Sequence, residues 1–216
     1  MPRLKLYLFL FVIAICSIQS LYANNTAEYG LRLLVLGDSL SAGYGLKPED
    51  SFPSQLEEAL DAAGYDVHVI NAGVSGDTSA GGLSRLEWAL ADMPHVALVE
   101  LGANDALRGL PPTETHDNLE SIIVKLKTAG VRVILAGMQA PRNLGNDYTV
   151  EFDAIYPRLA GKYDVALYPF FLDGVALNPA LNQPDGIHPN PAGVKLIVNK
   201  ILPLLKSELE QLKPDN

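Results

Sequence analysis

Five apolar runs alternate with amphipathic segments along the chain, and this alternation restricts the possible folds more than any other feature. The first run, 31–36, is almost continuously apolar, as expected of a parallel strand buried on both faces. The predicted strands are 31–36, 67–70, 96–101, 131–137 and 165–167. Helical spacing of apolar residues predicts helices over 53–64, 79–91, 113–129, 150–162 and 191–212.

This order of elements predicts a parallel sheet with helices on both faces, joined by right-handed crossovers. Five strands suit a flavodoxin-like order, which gives a three-layer α/β/α fold with a five-stranded parallel sheet. The switch point would lie between the first and third strands, and the loops that follow these strands carry Ser39 and Asn104. Because open α/β sheets bind ligands at such a point, we expect the functional site there.

The first 23 residues have the features of a secretory signal peptide. Arg3 and Lys5 precede an apolar core at 6–15, and a cleavage site is expected after Ala23. An uncleaved anchor is the alternative, but the apolar core is shorter than the roughly 20 residues that span a bilayer. Lipidation of Cys16 is disfavoured because the large Ile15 precedes it. The sequence thus predicts a signal peptide at 1–23 and a single domain at 24–216.

The composition of the mature chain excludes several classes of protein. Cys16 is the only cysteine and leaves with the signal peptide, so disulfides, thiolate metal sites and a thiol nucleophile are excluded. The mature chain has 14 basic and 25 acidic residues, a formal charge of −11. This charge argues against binding to nucleic acid or to anionic membranes. We therefore expect no nucleic-acid partner and no stable membrane anchor after cleavage.

A polar turn directly follows the first predicted strand. Gly37, Asp38 and Ser39 end the apolar run, which places the Ser39 hydroxyl at the carboxyl edge of the sheet. A hydroxyl there can act as a nucleophile if a base reaches it. The alternative is an ordinary strand-to-helix turn in which Ser39 caps the next helix.

His188 is the histidine best placed to be that base. It lies on the loop before the last predicted helix, three residues after Asp185, and Gly186 allows a tight turn between them. Asp185 could then accept from one imidazole nitrogen while the other faces Ser39. The alternative is a helix-capping turn. The remaining histidines are interpreted as structural: His68, His95 and His116.

Gly73 and Asn104 also follow predicted strands at the same sheet edge. Without a side chain, Gly73 could bring its backbone N–H close to a substrate, and Asn104 offers an amide donor. Both could instead be turn residues. The coincidence of four complementary signals at one edge favours a site that stabilises an oxyanion.

Together these segments resemble the four sequence blocks of the SGNH, or GDSL, hydrolase family. The blocks are Gly37-Asp38-Ser39-Leu40, Gly73 with Ser75-Gly76-Asp77-Thr78, Gly102-Ala103-Asn104-Asp105 and Asp185-Gly186-Ile187-His188-Pro189. The chain is most similar to the exported bacterial thioesterase I/lysophospholipase branch, which includes arylesterases, over residues 30–210. It departs from that branch at Ala103 and Ala106, where members often have Gly; neither position is expected to donate a side chain.

The resemblance implies a serine esterase that hydrolyses esters or thioesters of acyl chains through an acyl-enzyme. It implies a triad of Ser39, Asp185 and His188, and an oxyanion hole of Ser39, Gly73 and Asn104. Candidate substrate contacts lie on loop 138–149: Met138, Pro141 and Leu144. It also implies an acyl ester or lysophospholipid substrate, no metal or cofactor, and a periplasmic location. A monomer is favoured.

Two other functions stay open at this point. A carbohydrate O-deacetylase of the same family would have a polar, open cleft. A non-enzymatic flavodoxin-like module would bind flavin or phosphate, but the loop 37–43 has few Gly and Ser/Thr residues at the spacing of a phosphate cradle.

We expect the exported protein to begin near Asn24, because the predicted cleavage site follows Ala23. Mass spectrometry of protein recovered from the periplasmic fraction measures the mature N-terminus. Recovery of a membrane-bound chain that retains Met1 would contradict the signal peptide and support the anchor.

Overall fold

The computed structural model describes residues 30–212, so the predicted signal peptide lies outside the described residues. Five strands form one parallel sheet in the order β2-β1-β3-β4-β5. They are β1 (Leu31–Gly37), β2 (Val67–Gly73), β3 (Val96–Glu100), β4 (Arg132–Ala136) and β5 (Ala166–Tyr168). The predicted flavodoxin-like order is confirmed, with the switch point between β1 and β3.

Helices cover the sheet and give a three-layer α/β/α architecture. The described helices are α1 (Ser39–Ala42), α2 (Phe52–Ala62), α3 (Ser79–Ser84), α4 (Leu86–Ala89), α5 (Ala103–Leu107), α6 (Pro112–Thr128), α7 (Asn146–Asp153), α8 (Ile155–Tyr163) and α9 (Pro191–Glu210). Short 3₁₀ turns occur at Pro48–Asp50, Leu90–Asp92 and Arg142–Leu144. Helix α2 packs against α9, whereas α3 and α8 both pack against α6. Within residues 30–212, none of the helices combines the length and apolarity needed to cross a bilayer.

The core is formed by the central strands and the inner faces of the helices. All five residues of β3 are buried, and β1 is buried from Leu33 onward. Strands covered on both faces need apolar residues on both, which explains why the sequence shows runs rather than alternation. At about 25 cal/mol per Å² of apolar surface, this burial is the main favourable contribution to folding.

Two predicted helices are interrupted in the structure. The segment predicted as 79–91 divides at Arg85 into α3, α4 and a 3₁₀ turn, because the Arg85 side chain turns inward and donates from Nη2 to the Gly37 carbonyl (2.9 Å). The segment predicted as 150–162 begins at Asn146 and breaks at Ala154. Pro157 has no N–H to give the Asp153 carbonyl four residues earlier, so a continuous helix would lose a hydrogen bond there.

Several predicted boundaries also change at the carboxyl edge of the sheet. Strand β2 extends to Gly73 instead of ending at residue 70, because it stays paired with β1 up to Gly37 opposite Gly73. The predicted loop at 102–105 largely forms α5, which carries Asn104. The other elements agree with the predictions to within two residues at each end.

Candidate active site

Ser39 is the first residue of α1 and directly follows the end of β1. Asp38 caps this helix: its Oδ1 accepts from the Leu40 N–H at 2.9 Å. The capping role proposed for Ser39 as an alternative is therefore filled by Asp38, and the half-buried Ser39 hydroxyl faces another partner.

The turn before Ser39 has room only for glycine. A Cβ on Gly37 would lie 2.2 Å from Ser41 Oγ and 2.5 Å from Glu100 Oε2. Real Cβ atoms do not approach so closely, so the absent side chain lets α1 sit directly over the end of β3.

His188 reaches Ser39 from a loop 149 residues further along the chain. Its Nε2 lies 2.9 Å from Ser39 Oγ, and its Nδ1 lies 2.7 Å from Asp185 Oδ2. With the Nδ1 hydrogen directed at the carboxylate, Nε2 is left to accept from the serine hydroxyl. The three side chains predicted to act together form one continuous chain of hydrogen bonds.

Asp185 is held ionised by its own turn. The backbone N–H of His188, then the imidazole, then the Ile187 N–H lower the pKa of Asp185 from 3.8 to about 2. Both N–H groups donate to Oδ1 at 3.0 Å. Helix α9 is capped instead by Asn190, whose Oδ1 accepts from the N–H groups of Ala192 and Gly193. The helix-capping alternative for Asp185 therefore lacks support.

Gly73 lies beside the nucleophile helix, but for a reason the sequence did not indicate. A Cβ there would be 2.3 Å from the backbone nitrogen of Ala42, so glycine is required by the packing of α1 against β2. The Gly73 N–H donates to Asn71 Oδ1 at 2.9 Å. This donor is thus engaged by a side chain of its own strand.

Asn104 is brought next to the nucleophile turn by α5. Its Nδ2 donates to Asp38 Oδ2 at 3.0 Å and to the Asp77 carbonyl at 2.9 Å. These two bonds hold the amide rigidly between the loops that follow β1 and β2, and both of its hydrogens are engaged.

The predicted substrate contacts differ in accessibility. Met138 is only 3% exposed and belongs to the hydrophobic core, so this conformation does not offer it to a substrate. Pro141 directly precedes the 3₁₀ turn Arg142–Leu144, of which Leu144 is the last residue, and both are half-buried. Met138 follows a buried strand without interruption, which accounts for its place in the core.

The other histidines have local partners. His68 contacts Glu57 at 3.3 Å on the surface, and His95 Nδ1 accepts from the Arg32 N–H at 3.0 Å. His116 contacts Asp117 at 2.9 Å on the exposed side of α6. Their interpretation as structural agrees with these contacts.

Within residues 30–212, one group of side chains has the spacing to hold a cation: His116, Asp117 and Glu120 on α6. The Glu120 carboxylate is already bonded to Lys162 and to the Tyr163 hydroxyl (2.7 Å). The ion pair and the hydrogen bond already engage this one carboxylate of the group.

A buried polar network beneath the site was missed by sequence reasoning. Glu100 is fully buried at the end of β3, and its Oε2 accepts from Ser41 Oγ at 2.6 Å and from the Asp38 N–H at 3.3 Å. Asp105 accepts from both the N–H and the hydroxyl of Ser79 and from Thr115. The sequence signal that could have revealed this network was Glu100, the one acid in the apolar run 96–101.

Burial opposes charge on Asp38 and Glu100, the two acids close to Ser39. It raises the pKa of Asp38 from 3.8 to about 6, although hydrogen bonds from Leu40 and Asn104 partly offset this. Burial, and next the nearby Asp38 charge, raise the pKa of Glu100 well above 4.5. Glu100 Oε1 has no hydrogen-bond partner within the described part of the chain, which adds to the cost of ionising it.

We expect the stability of Glu100→Gln to fall less with rising pH than the stability of the wild type. Because a carboxyl with a raised pKa keeps its proton in the folded state after the unfolded chain has released its own, stability falls as pH rises through that interval. As the pH rises above 4.5, the decrease in Tm should be smaller in Glu100→Gln than in the wild type. The amide oxygen can still accept from Ser41 and Asp38.

Glu87→Gln provides the control, since Glu87 is a surface carboxylate paired with Lys125. Its curve of Tm against pH should follow that of the wild type. Equal decreases in the wild type and Glu100→Gln would contradict the assignment of Glu100 as a buried acid that resists ionisation.

Comparison with known proteins identifies the family of this chain. Residues 35–196 match the GDSL-like Lipase/Acylhydrolase family. The chain is 47% identical to an arylesterase of Vibrio mimicus (74% of this chain, 80% of the relative) and 45% identical to thioesterase 1/protease 1/lysophospholipase L1 of Escherichia coli K12 (73% and 75%). Its fold is similar to that of the psychrotrophic esterase EstA from Pseudoalteromonas, inhibited by monoethylphosphonate, with a TM-score of 0.79, 35% identity, and coverage of 83% and 98%. The chain belongs to the GDSL-like lipase/acylhydrolase family.

Proposed function

We propose that this protein is a serine esterase that hydrolyses acyl esters through an acyl-enzyme on Ser39. The observation that carries the proposal is the unbroken chain of hydrogen bonds from Ser39 through His188 to Asp185. Relatives named arylesterase and thioesterase 1/lysophospholipase L1 support ester hydrolysis as the class of reaction.

In the proposed reaction, His188 Nε2 takes the hydroxyl proton as Ser39 Oγ attacks the carbonyl carbon. Asp185 stabilises the resulting imidazolium and holds it in this orientation. The imidazolium then gives its proton to the leaving oxygen or sulfur, and the acyl group remains on Ser39. Water repeats the attack with His188 as base, which releases the acid and restores the serine.

The oxyanion would be held by the N–H groups of Ser39 and Gly73 and the side-chain amide of Asn104. Because the Gly73 N–H bonds to Asn71 and the Asn104 amide bonds to Asp38 and Asp77, these donors must exchange partners when the oxyanion forms. The gain in transition-state stabilisation is large, since removal of one such donor lowers turnover by roughly 100- to 1000-fold.

Apolar side chains around the site support an acyl substrate. Tyr44, Val74, Leu107 and Ile187 are between 44% and 55% exposed. Tyr44 contacts the His188 ring, and the other three lie within three residues of Gly73, Asn104 or His188. An apolar rim of this kind can cover an acyl chain, whereas a sugar would need polar partners there.

Export of the mature chain forms part of the proposal, on the basis of the signal-like segment 1–23. A periplasmic location favours oxygen esters, such as lysophospholipids, over coenzyme A thioesters as natural substrates.

We expect p-nitrophenyl esters of about C8 to C12 to be hydrolysed with a higher kcat/KM than the acetate, because the longer acyl chains bury more apolar surface. A chain-length series, with lysophospholipid as a second substrate and Ser39→Ala as the blank, measures this preference. Activity confined to acetyl esters, and strongest on acetylated sugars, would favour the O-deacetylase instead.

Asp185→Asn should lower kcat by about 10⁴-fold with little change in folding, as the equivalent change does in serine proteases. The Asn oxygen can keep both backbone bonds that Oδ1 accepts, but its NH₂ then faces Nδ1. This arrangement favours the tautomer with hydrogen on Nε2, which cannot take the Ser39 proton.

Asp173→Asn is the matched control for this substitution, because Asp173 is an exposed carboxylate paired only with Lys200 among the contacts described. It should retain wild-type turnover. A folded Asp185→Asn protein that keeps more than about a tenth of wild-type kcat would remove Asp185 from the triad.

A further inference from the structure

The contact between Ser39 and His188 joins the start of α1 to a loop, and no secondary structure element connects the two directly. Ser39 follows β1, whereas His188 lies between β5 and α9, in a segment whose only strand-like pairing in the described chain is the bridge of Asn182 with Pro189. Asp185 belongs to the same turn as His188. It orients the imidazole but does not fix the distance of that turn from Ser39.

Gln183 connects the segment just after α1 to the His188 loop through its side-chain amide. Its Nε2 donates to the Tyr44 carbonyl at 2.8 Å, on the segment after the nucleophile helix, and to the Pro189 carbonyl at 3.0 Å. Its backbone N–H donates to the His188 carbonyl at 2.7 Å. Both amide hydrogens are thus used, one on each side of the catalytic contact.

The segment after α1 has room for the Gln183 amide because residue 45 is glycine. Gly45 has φ = +72°, and a Cβ on it would lie 2.2 Å from Gln183 Oε1. The half-buried Gln183 therefore occupies the space that a side chain at residue 45 would need.

The same connection places an aromatic ring against the catalytic base. Tyr44, whose carbonyl accepts from Gln183, has its ring centroid 4.6 Å from that of His188, with an interplanar angle of 36°. The Tyr44 ring can restrict the motion of the imidazole only while the segment after α1 and the His188 loop stay together. Gln183 therefore controls two constraints on His188: its distance from Ser39 and its packing against Tyr44.

We propose that Gln183 is a positioning residue that holds the His188 loop at proton-transfer distance from Ser39. The proposal rests on the proposed function, since it assigns Gln183 a task only if Ser39 and His188 exchange a proton. It predicts that loss of the amide lowers the rate at each active site but leaves the number of active sites unchanged. A misplacement of about 1 Å can lower the rate by roughly 100-fold.

Gln183→Met tests this directly, because methionine has a similar length but cannot form either hydrogen bond. We expect kcat to fall by about 10- to 100-fold with KM within about twofold of the wild type. Titration with an organophosphonate should still give one reactive Ser39 per chain, and its labelling rate should fall in parallel with kcat. The downfield Nδ1–H proton resonance of His188 should persist, because the bond to Asp185 lies within one turn.

Gly45→Ala removes the same contact from the opposite side, since its Cβ would displace the Gln183 amide. Gly130→Ala is its control: Gly130 has φ = +77°, but nothing lies within 4 Å of the added Cβ. Gly45→Ala should lose kcat as Gln183→Met does, Gly130→Ala should not, and the Gly45→Ala/Gln183→Met double variant should lose little more than either single one.

Expressing kcat per titrated site separates positioning from folding. If Gln183→Met lowers only the number of titrated sites, or keeps kcat within about twofold, Gln183 has a structural role and the proposal is overturned. Equal kcat values for Gly45→Ala and Gly130→Ala would overturn it as well. Failure of the wild type to react with the phosphonate would instead refute the proposed function itself.

Discussion

The arrangement of the site depends on the close contact between the end of β3 and the turn that follows β1. Glu100 occupies the space left by the missing side chain of Gly37 and accepts hydrogen bonds from Ser41 and from the Asp38 backbone. These bonds fix the start of α1, and therefore the Ser39 hydroxyl, relative to the sheet. Burying a carboxyl without an ion partner is costly. The protein accepts this cost at the point where a small shift would misplace the Ser39 hydroxyl.

The fold was predictable because its signals are local and repeated. Buried parallel strands such as β1 and β3 show as apolar runs, and their alternation with helices indicates a parallel sheet. The flavodoxin-like order, which five strands suit, is the one observed. The Ser39, His188 and Asp185 cluster was predictable for a similar reason. Each residue lies in a short, recognisable segment, and the predicted topology brings the carboxyl ends of the strands to one edge.

The remaining features depend on contacts between residues far apart in sequence, which local patterns do not contain. The break at Arg85 arises from a bond to Gly37, 48 residues earlier. Gly73 is needed because Ala42 packs against it, and Met138 is buried because the core continues past the end of β4. The oxyanion roles of Gly73 and Asn104 stay predictions, made from their places after the strands and from the family resemblance. Their present hydrogen-bond partners could not be foreseen.

The long separation of His188 from Ser39 has a consequence for biosynthesis. The ribosome makes Ser39 and three of the strands before residue 101, whereas His188 follows Ser39 by 149 residues. Contacts between such distant segments close late in folding, because their loop-closure entropy must be overcome first. Nascent chains that have not reached residue 188 can therefore hold Ser39 at the sheet edge but lack the proposed base. In the proposed mechanism, hydrolytic activity begins only after the loop that carries His188 has been made and has docked.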